Sequence, residues 1–113
     1  MRALLDVNVL LALMDRDHIH HQPALAWWRS NRDDGWASCP LTQNAFVRIS
    51  CQRIYPNRPT AVQAIDQLRR QLAEPSYVFW SDDISIADDG VFDRGRILGP
   101  NQITDAYLLA LAM

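Results

Sequence analysis

The chain contains no lysine: all eleven basic residues are arginine. Thirteen acids outweigh them, and the formal net charge of -2 argues against a domain that holds nucleic acid by bulk electrostatics. Local guanidinium forks remain the means of pairing with phosphate or carboxylate. Cysteine is confined to Cys39 and Cys51, which lack metal-ligand spacing and read as reduced, packed side chains rather than a disulfide framework. No apolar run reaches membrane length, so neither a spanning helix nor a membrane partner is expected. The apolar start carries an acid, Asp6, where a signal peptide needs its hydrophobic centre, and no small-residue cleavage site follows. The chain therefore reads as cytoplasmic. No repeat or low-complexity segment is visible.

What is present is an ordinary globular composition, 49% hydrophobic and 21% charged over 113 residues, enough for one core in a single domain spanning residues 1–113. Ala3-Leu4-Leu5-Asp6-Val7 reads as a buried strand, Asn8 as an N-cap, and Val9 to Met14 as a helix. From His20, Ala24, Trp27 and Trp28 recur at helical spacing until the polar run Ser30 to Gly35. Trp36 to Cys39 offers a second strand. Leu41, Phe46, Ala45 and Ile49 predict a third helix reaching about Cys51. After Pro56 and Pro59, Thr60 and Gln63 form a capping box ahead of Val62, Ile65, Leu68 and Leu72. Tyr77 to Trp80 looks like a strand and residues 81–100 are acidic and irregular, with one short helical turn. Asn101 then caps a last helix through Met113. Strands alternating with helices predict an open, mainly parallel sheet covered on both faces, with ligands beyond the carboxyl ends of its strands.

Two acids stand out against that frame. Asp6 follows a buried strand, where a carboxylate costs several kcal/mol unless it is hydrogen-bonded or faces a cation. It can cap the first helix, but Asn8 can also do so and free Asp6 as a ligand. Asp105 is the sole charged residue between Ile97 and Met113 and heads a helix apolar on every side, the pattern of a buried helix. An acid there can simply complement the helix dipole. Paired with Asp6, it is the kind of oxygen ligand that Mg2+ or Mn2+ takes.

Four segments, L-L-D-V-N-V-L-L-A-L at 4–13, P-L-T-Q-N-A-F-V-R at 40–48, Y-P-N-R-P-T at 55–60 and Q-I-T-D-A-Y-L-L-A-L-A at 102–112, resemble the VapC toxins of the PIN-domain ribonucleases, in family order and over nearly the whole chain. The resemblance implies a three-layer α/β/α fold with a central, mainly parallel sheet. It further implies a Mg2+- or Mn2+-dependent endoribonuclease cutting structured RNA such as transfer or ribosomal RNA, leaving 5'-phosphate and 3'-hydroxyl ends. A homodimer and a small cognate antitoxin are implied as partners, the antitoxin inserting an arginine toward the acids. Asp6 matches the first metal-binding acid and Asp105 the third. Gln43 stands where relatives often carry glutamate. A neutral amide can offer an oxygen but removes a charge, and the residue reads otherwise as a polar helix start. Asn8, Thr42, Asn44 and Thr104 are candidates to orient the site, Thr104 alternatively capping its helix. Arg48 and Arg53 are candidates for RNA phosphate contact, or are solvated surface arginines.

In the family a further strand ending in aspartate follows the helix of the third acid, whereas this chain stops at Met113. The expectation is a C-terminally incomplete domain lacking its last strand. With Gln43, that motivates a second reading: a catalytically inactive interaction module binding an antitoxin-like partner. Phosphoryl transfer through an aspartyl nucleophile at Asp6 is disfavoured because Asn8 stands where a second acid is needed. His18, His20 and His21 read as a polar loop rather than a zinc site. Asp82, Asp83, Asp88 and Asp89 read as turn and cap residues, and Trp27, Trp28, Trp36 and Trp80 as core or partner-facing packing.

Overall fold

The first strand, β1, is short, Ala3–Leu4, because Asp6 two residues later turns the backbone into a helix. The computed structural model describes residues 3–52, 58–88 and 103–112, the side chain of Ala106 excepted. The chain divides into two compact units, Met1–Trp80 and Ser81–Met113.

In the first unit the order is β1, α1 (Val7–Met14), α2 (His21–Asn31), a 3-10 turn (Arg32–Asp34), β2 (Trp36–Ser38), α3 (Pro40–Ser50), α4 (Ala61–Leu72) and β3 (Tyr77–Phe79). The strands form a sheet in the order β1-β2-β3, and both pairings are parallel, with Leu4 opposite Ala37 and Ala37 opposite Val78. The parallel sheet expected from the alternation of elements is thus present. Gly35 supplies the one positive φ among the described residues, 92°, at the sharp exit of the 3-10 turn into β2, where a Cβ would clash.

Local sequence explains the starts of α3 and α4. Thr60 and Gln63 form the reciprocal capping box: the Gln63 N–H donates to Thr60 Oγ1 at 3.2 Å and Gln63 Oε1 accepts from the Thr60 N–H at 2.9 Å. Proline opens α3 at its first position, where the missing N–H costs nothing. The far end of α1 is closed from another element, as Gln67 Nε2 donates to Met14 O at 2.7 Å.

The core consists of Leu5, Leu10, Leu11, Trp36, Phe46 and Leu68, contributed by the residue after β1 and by α1, β2, α3 and α4. Each such side chain contributes ~1.5–3 kcal/mol by leaving water. Trp36 needs a partner for its indole N–H, and Glu74 Oε2 accepts it at 2.8 Å. The same oxygen accepts from the Ser76 N–H at 3.1 Å and from the Ser76 hydroxyl. The Ser76 hydroxyl is the main reason that the Glu74 carboxyl is held below the usual glutamate range, with the Trp36 indole and the Ser76 amide adding to it.

The second unit contains a turn in which the Asp88 N–H donates to Ser85 O at 3.0 Å, followed beyond the undescribed residues by α5 (Ile103–Ala112). Tyr107 Oη donates to Ile84 O at 3.2 Å, joining these two pieces. The expectation of a wholly buried last helix is not met. Leu108 is buried, but Leu109 is 68% and Ile103 45% exposed. Among the described residues one face of α5 is covered. Asp89, Asn101 and the termini of the expected last helix lie outside the described residues. No helix among those described is long and apolar enough to cross a membrane.

Candidate functional site

Parallel strands end together, and two residues beyond the paired positions Leu4, Ala37 and Val78 come Asp6, Cys39 and Trp80. The Leu5 N–H still donates to Ala37 O at 3.0 Å and the Trp80 N–H to Ser38 O at 3.0 Å. Asp6 therefore sits at the carboxyl edge of the sheet, as the sequence placed it. Its backbone is extended (φ -79°, ψ 174°) and Oδ1 accepts from the Val9 N–H at 3.0 Å, so it is the N-cap of α1. This corrects the assignment of the cap to Asn8, which lies inside α1 and is exposed. The residue with extended backbone three positions before an orphan N–H is the one that can reach it. Capping engages one carboxylate oxygen, and the side chain is left half-buried.

The segment after β2 is held by a second cap. Thr42, 2% exposed, donates from Oγ1 to Cys39 O at 3.0 Å and accepts from the Cys39 N–H at 3.2 Å. Thr42 thus orients the start of α3. Gln43 follows, and its Nε2 donates to Ser38 Oγ at 2.9 Å and to Tyr77 Oη at 3.0 Å, while those two hydroxyls are 2.9 Å apart. This triangle joins β2, β3 and α3 at the same edge of the sheet. Ser38 and Tyr77 were missed in the sequence, where the available signal was a serine in an otherwise apolar buried strand. Asn44 and Arg48 are exposed on α3, and Arg53 lies outside the described residues.

In the second unit Asp105 stands in the first turn of α5 and is exposed, as is Thr104, which lies within the helix as described rather than capping it. Among the described residues no group of three or more histidine, cysteine, aspartate or glutamate side chains is arranged to hold a metal ion.

Asp6 lines two clefts of the first unit. One, of about 370 Å³, is lined by Ala3, Leu4, Leu5, Asp6, Val9, Ala24 and Trp27, and Trp27 is 39% exposed. The other, of about 620 Å³, is lined by Asp6, Asn8, Val9, Ala12, His18, Ile19, His20, Pro23 and Ala24. The histidines do not form a uniform polar loop as expected. His21 is buried as the first residue of α2, and its Nδ1 donates to Ala12 O at 2.7 Å, because a carbonyl can only accept. His18 and His20 remain at the cleft. Trp36 is core, whereas Trp28 packs against the Arg32 guanidinium at 5.2 Å.

No family model matches the chain. Among curated proteins, Ribonuclease VapC44 of Mycobacterium tuberculosis (strain ATCC 25618 / H37Rv) is 54% identical over 113 residues, covering 100% of this chain and 80% of that protein. Ribonuclease VapC38 of the same strain is 42% identical over 111 residues, 97% of this chain and 77% of that protein. Ribonuclease VapC39 is 38% identical over 113 residues, 99% of this chain and 81% of that protein.

Proposed function

Because the chain belongs to the VapC family of PIN-domain ribonucleases, we propose that it is a Mg2+- or Mn2+-dependent endoribonuclease toxin that hydrolyses phosphodiester bonds of structured RNA, transfer or ribosomal. A small cognate antitoxin restrains it, and it works as a homodimer in the cytoplasm, residues 1–113 belonging to one PIN domain.

The observation that supports this reading is Asp6: a carboxylate at the carboxyl edge of a parallel sheet, with Oδ1 engaged by the Val9 N–H and its side chain lining an open cleft. The donor chemistry fits a hard divalent cation, which takes carboxylate, amide and water oxygens. Asp6 and Asp105 would hold the ion. The metal, when bound, supplies Lewis acidity toward the phosphate and a bound water of lowered pKa. The capping bond fixes the Asp6 side chain, so that its charge is in place before substrate arrives. Thr42 sets the start of α3 and thereby where Gln43 stands; Gln43, tied through Nε2, has its amide oxygen as the neutral member of the site. Asn8, Asn44 and Thr104 are polar neighbours in sequence of these residues, and Arg48 and Arg53 are the arginines offered for RNA phosphates. Cleavage of an RNA substrate should require Mg2+ or Mn2+ and be lost in Asp6→Ala and Asp105→Ala; undiminished cleavage in chelator would refute the reading.

Gln43 favours a second reading. Its amide nitrogen faces Ser38 and Tyr77 where a carboxylate would bring negative charge, which suits an inactive module that binds an antitoxin-like partner. Metal-dependent turnover by the protein would dismiss it.

A further inference from the structure

The cleft that Asp6 shares with His18 and His20 has features that the catalytic reading does not use. Its volume of about 620 Å³ falls within the roughly 300–1,000 Å³ of small-ligand sites. The segment that carries the histidines is built by successive hydrogen bonds. The Asp15 N–H donates to Leu11 O at 3.0 Å, the His18 N–H to Asp15 O at 3.1 Å and the His21 N–H to His18 O at 2.9 Å. The Asp17 N–H donates to Asp15 Oδ1 at 3.0 Å, and His21 Nδ1 anchors the far end on Ala12 O.

Within this frame the His20 N–H donates to His18 Nδ1 at 3.0 Å. A neutral imidazole whose Nδ1 accepts must carry its hydrogen on Nε2, so the remaining nitrogen of His18 is a donor. The His20 ring lies beside it, 5.7 Å between centroids and tilted by 44°, and Ile19 between them is 85% exposed. The charge of the cleft is that of Asp6, so an isolated phosphate is not drawn into it. Two imidazole planes, a neutral N–H donor, the Asn8 amide and an apolar floor of Val9 and Ala12 suit instead an unpaired base with its sugar, held by stacking and by its polar edge.

We infer that His18 and His20 form a specificity subsite for the unpaired nucleotide adjoining the scissile bond, with His18 Nε2–H donating to it and the imidazole planes stacking on its base. This rests on the nuclease reading for the identity of the strand as RNA. The subsite would make these two residues selective for what lies beside the cut, while Asp6 serves the cut itself.

The test measures binding and cleavage separately. Fluorescence anisotropy with a labelled single-stranded RNA pool of mixed sequence, in chelator so that the RNA stays intact, gives affinity for the wild-type chain and for His18→Ala, His20→Ala and the double variant. The double variant is expected to bind about tenfold more weakly, with an unchanged circular dichroism spectrum because neither ring is in the core. His18→Asn keeps an acceptor near the position of Nδ1 but removes the outward donor, and is expected to bind as weakly as His18→Ala. Undiminished affinity in the double variant, full recovery by His18→Asn, or no RNA binding by the wild-type chain would each overturn the subsite. Histidine-dependent RNA binding with no cleavage in any divalent metal would sink the nuclease reading and leave the two histidines standing as a binding site for an unpaired nucleotide. Metal-dependent cleavage that is indifferent to both histidines would do the reverse.

Discussion

Glu74 accepts the indole N–H of Trp36 at 2.8 Å, across 38 residues of sequence, and so fastens the segment before β3 to the middle strand of the sheet. Trp36 is 1% exposed, which makes this carboxylate the means by which a large core side chain is satisfied. Glu74→Ala would leave the indole donor unpaired and is expected to cost about 1–3 kcal/mol in urea unfolding. Glu74→Gln, whose amide oxygen can still accept, should cost less.

The same residue sets a pH dependence. The folded-state pKa of Glu74 lies below that of an unconstrained glutamate, chiefly because the Ser76 hydroxyl donates to it. Its contribution to stability is therefore complete above the unfolded value and is lost as pH falls through the lower folded value. Urea midpoints measured from neutral pH down into the acid range should fall more steeply for the wild-type chain than for Glu74→Gln over that window. Equal slopes would show that Glu74 does not titrate with folding.

How far the sequence revealed these arrangements depends on how local they are. The capping box of Thr60 and Gln63 and the parallel alternation of strands and helices were legible, because each rests on neighbours within a few positions. The start of α1 was less so: Asp6 and Asn8 are both good caps two residues apart, and what separates them is the backbone angle at residue 6. The triangle of Ser38, Gln43 and Tyr77 was not legible at all. It depends on the β2-β3 register, and residues 38 and 77 meet only once that register is fixed. The buried anchorage of His21 was likewise hidden, since three clustered histidines carry the same sequence signal whether they face solvent or a backbone carbonyl.

The triangle makes its own prediction. Ser38→Ala and Gln43→Ala each remove a partner from a partly buried network, and a double-mutant cycle between them should show a coupling of about 0.5–1.5 kcal/mol in urea unfolding. Additive effects would mean that the amide is held by something other than the serine.

Gln43→Glu asks about charge at the same place. A carboxylate there would accept from the Ser38 and Tyr77 hydroxyls, so the two bonds to residue 43 survive with the donors reversed while the bond between the hydroxyls is given up. One more negative charge among oxygen ligands strengthens divalent binding. Titration calorimetry with Mn2+ should show tighter binding by Gln43→Glu than by the wild-type chain, and cleavage should saturate at lower metal. Unchanged metal affinity would place Gln43 outside the coordination sphere.

Asp6 carries two duties that can be separated by choice of substitution. As the N-cap of α1 it needs an acceptor oxygen at the Val9 N–H, and asparagine serves this as well as aspartate. As the proposed metal ligand it needs a negative charge, which asparagine lacks. Asp6→Asn is therefore expected to unfold within about 0.5 kcal/mol of the wild-type chain, whereas Asp6→Ala should lose about 1 kcal/mol with the cap. Metal-dependent cleavage should disappear in both. Were Asp6→Asn as active as the wild-type chain while Asp6→Ala was inactive, the cap alone would explain the requirement for this residue, and the ion would have to be held elsewhere.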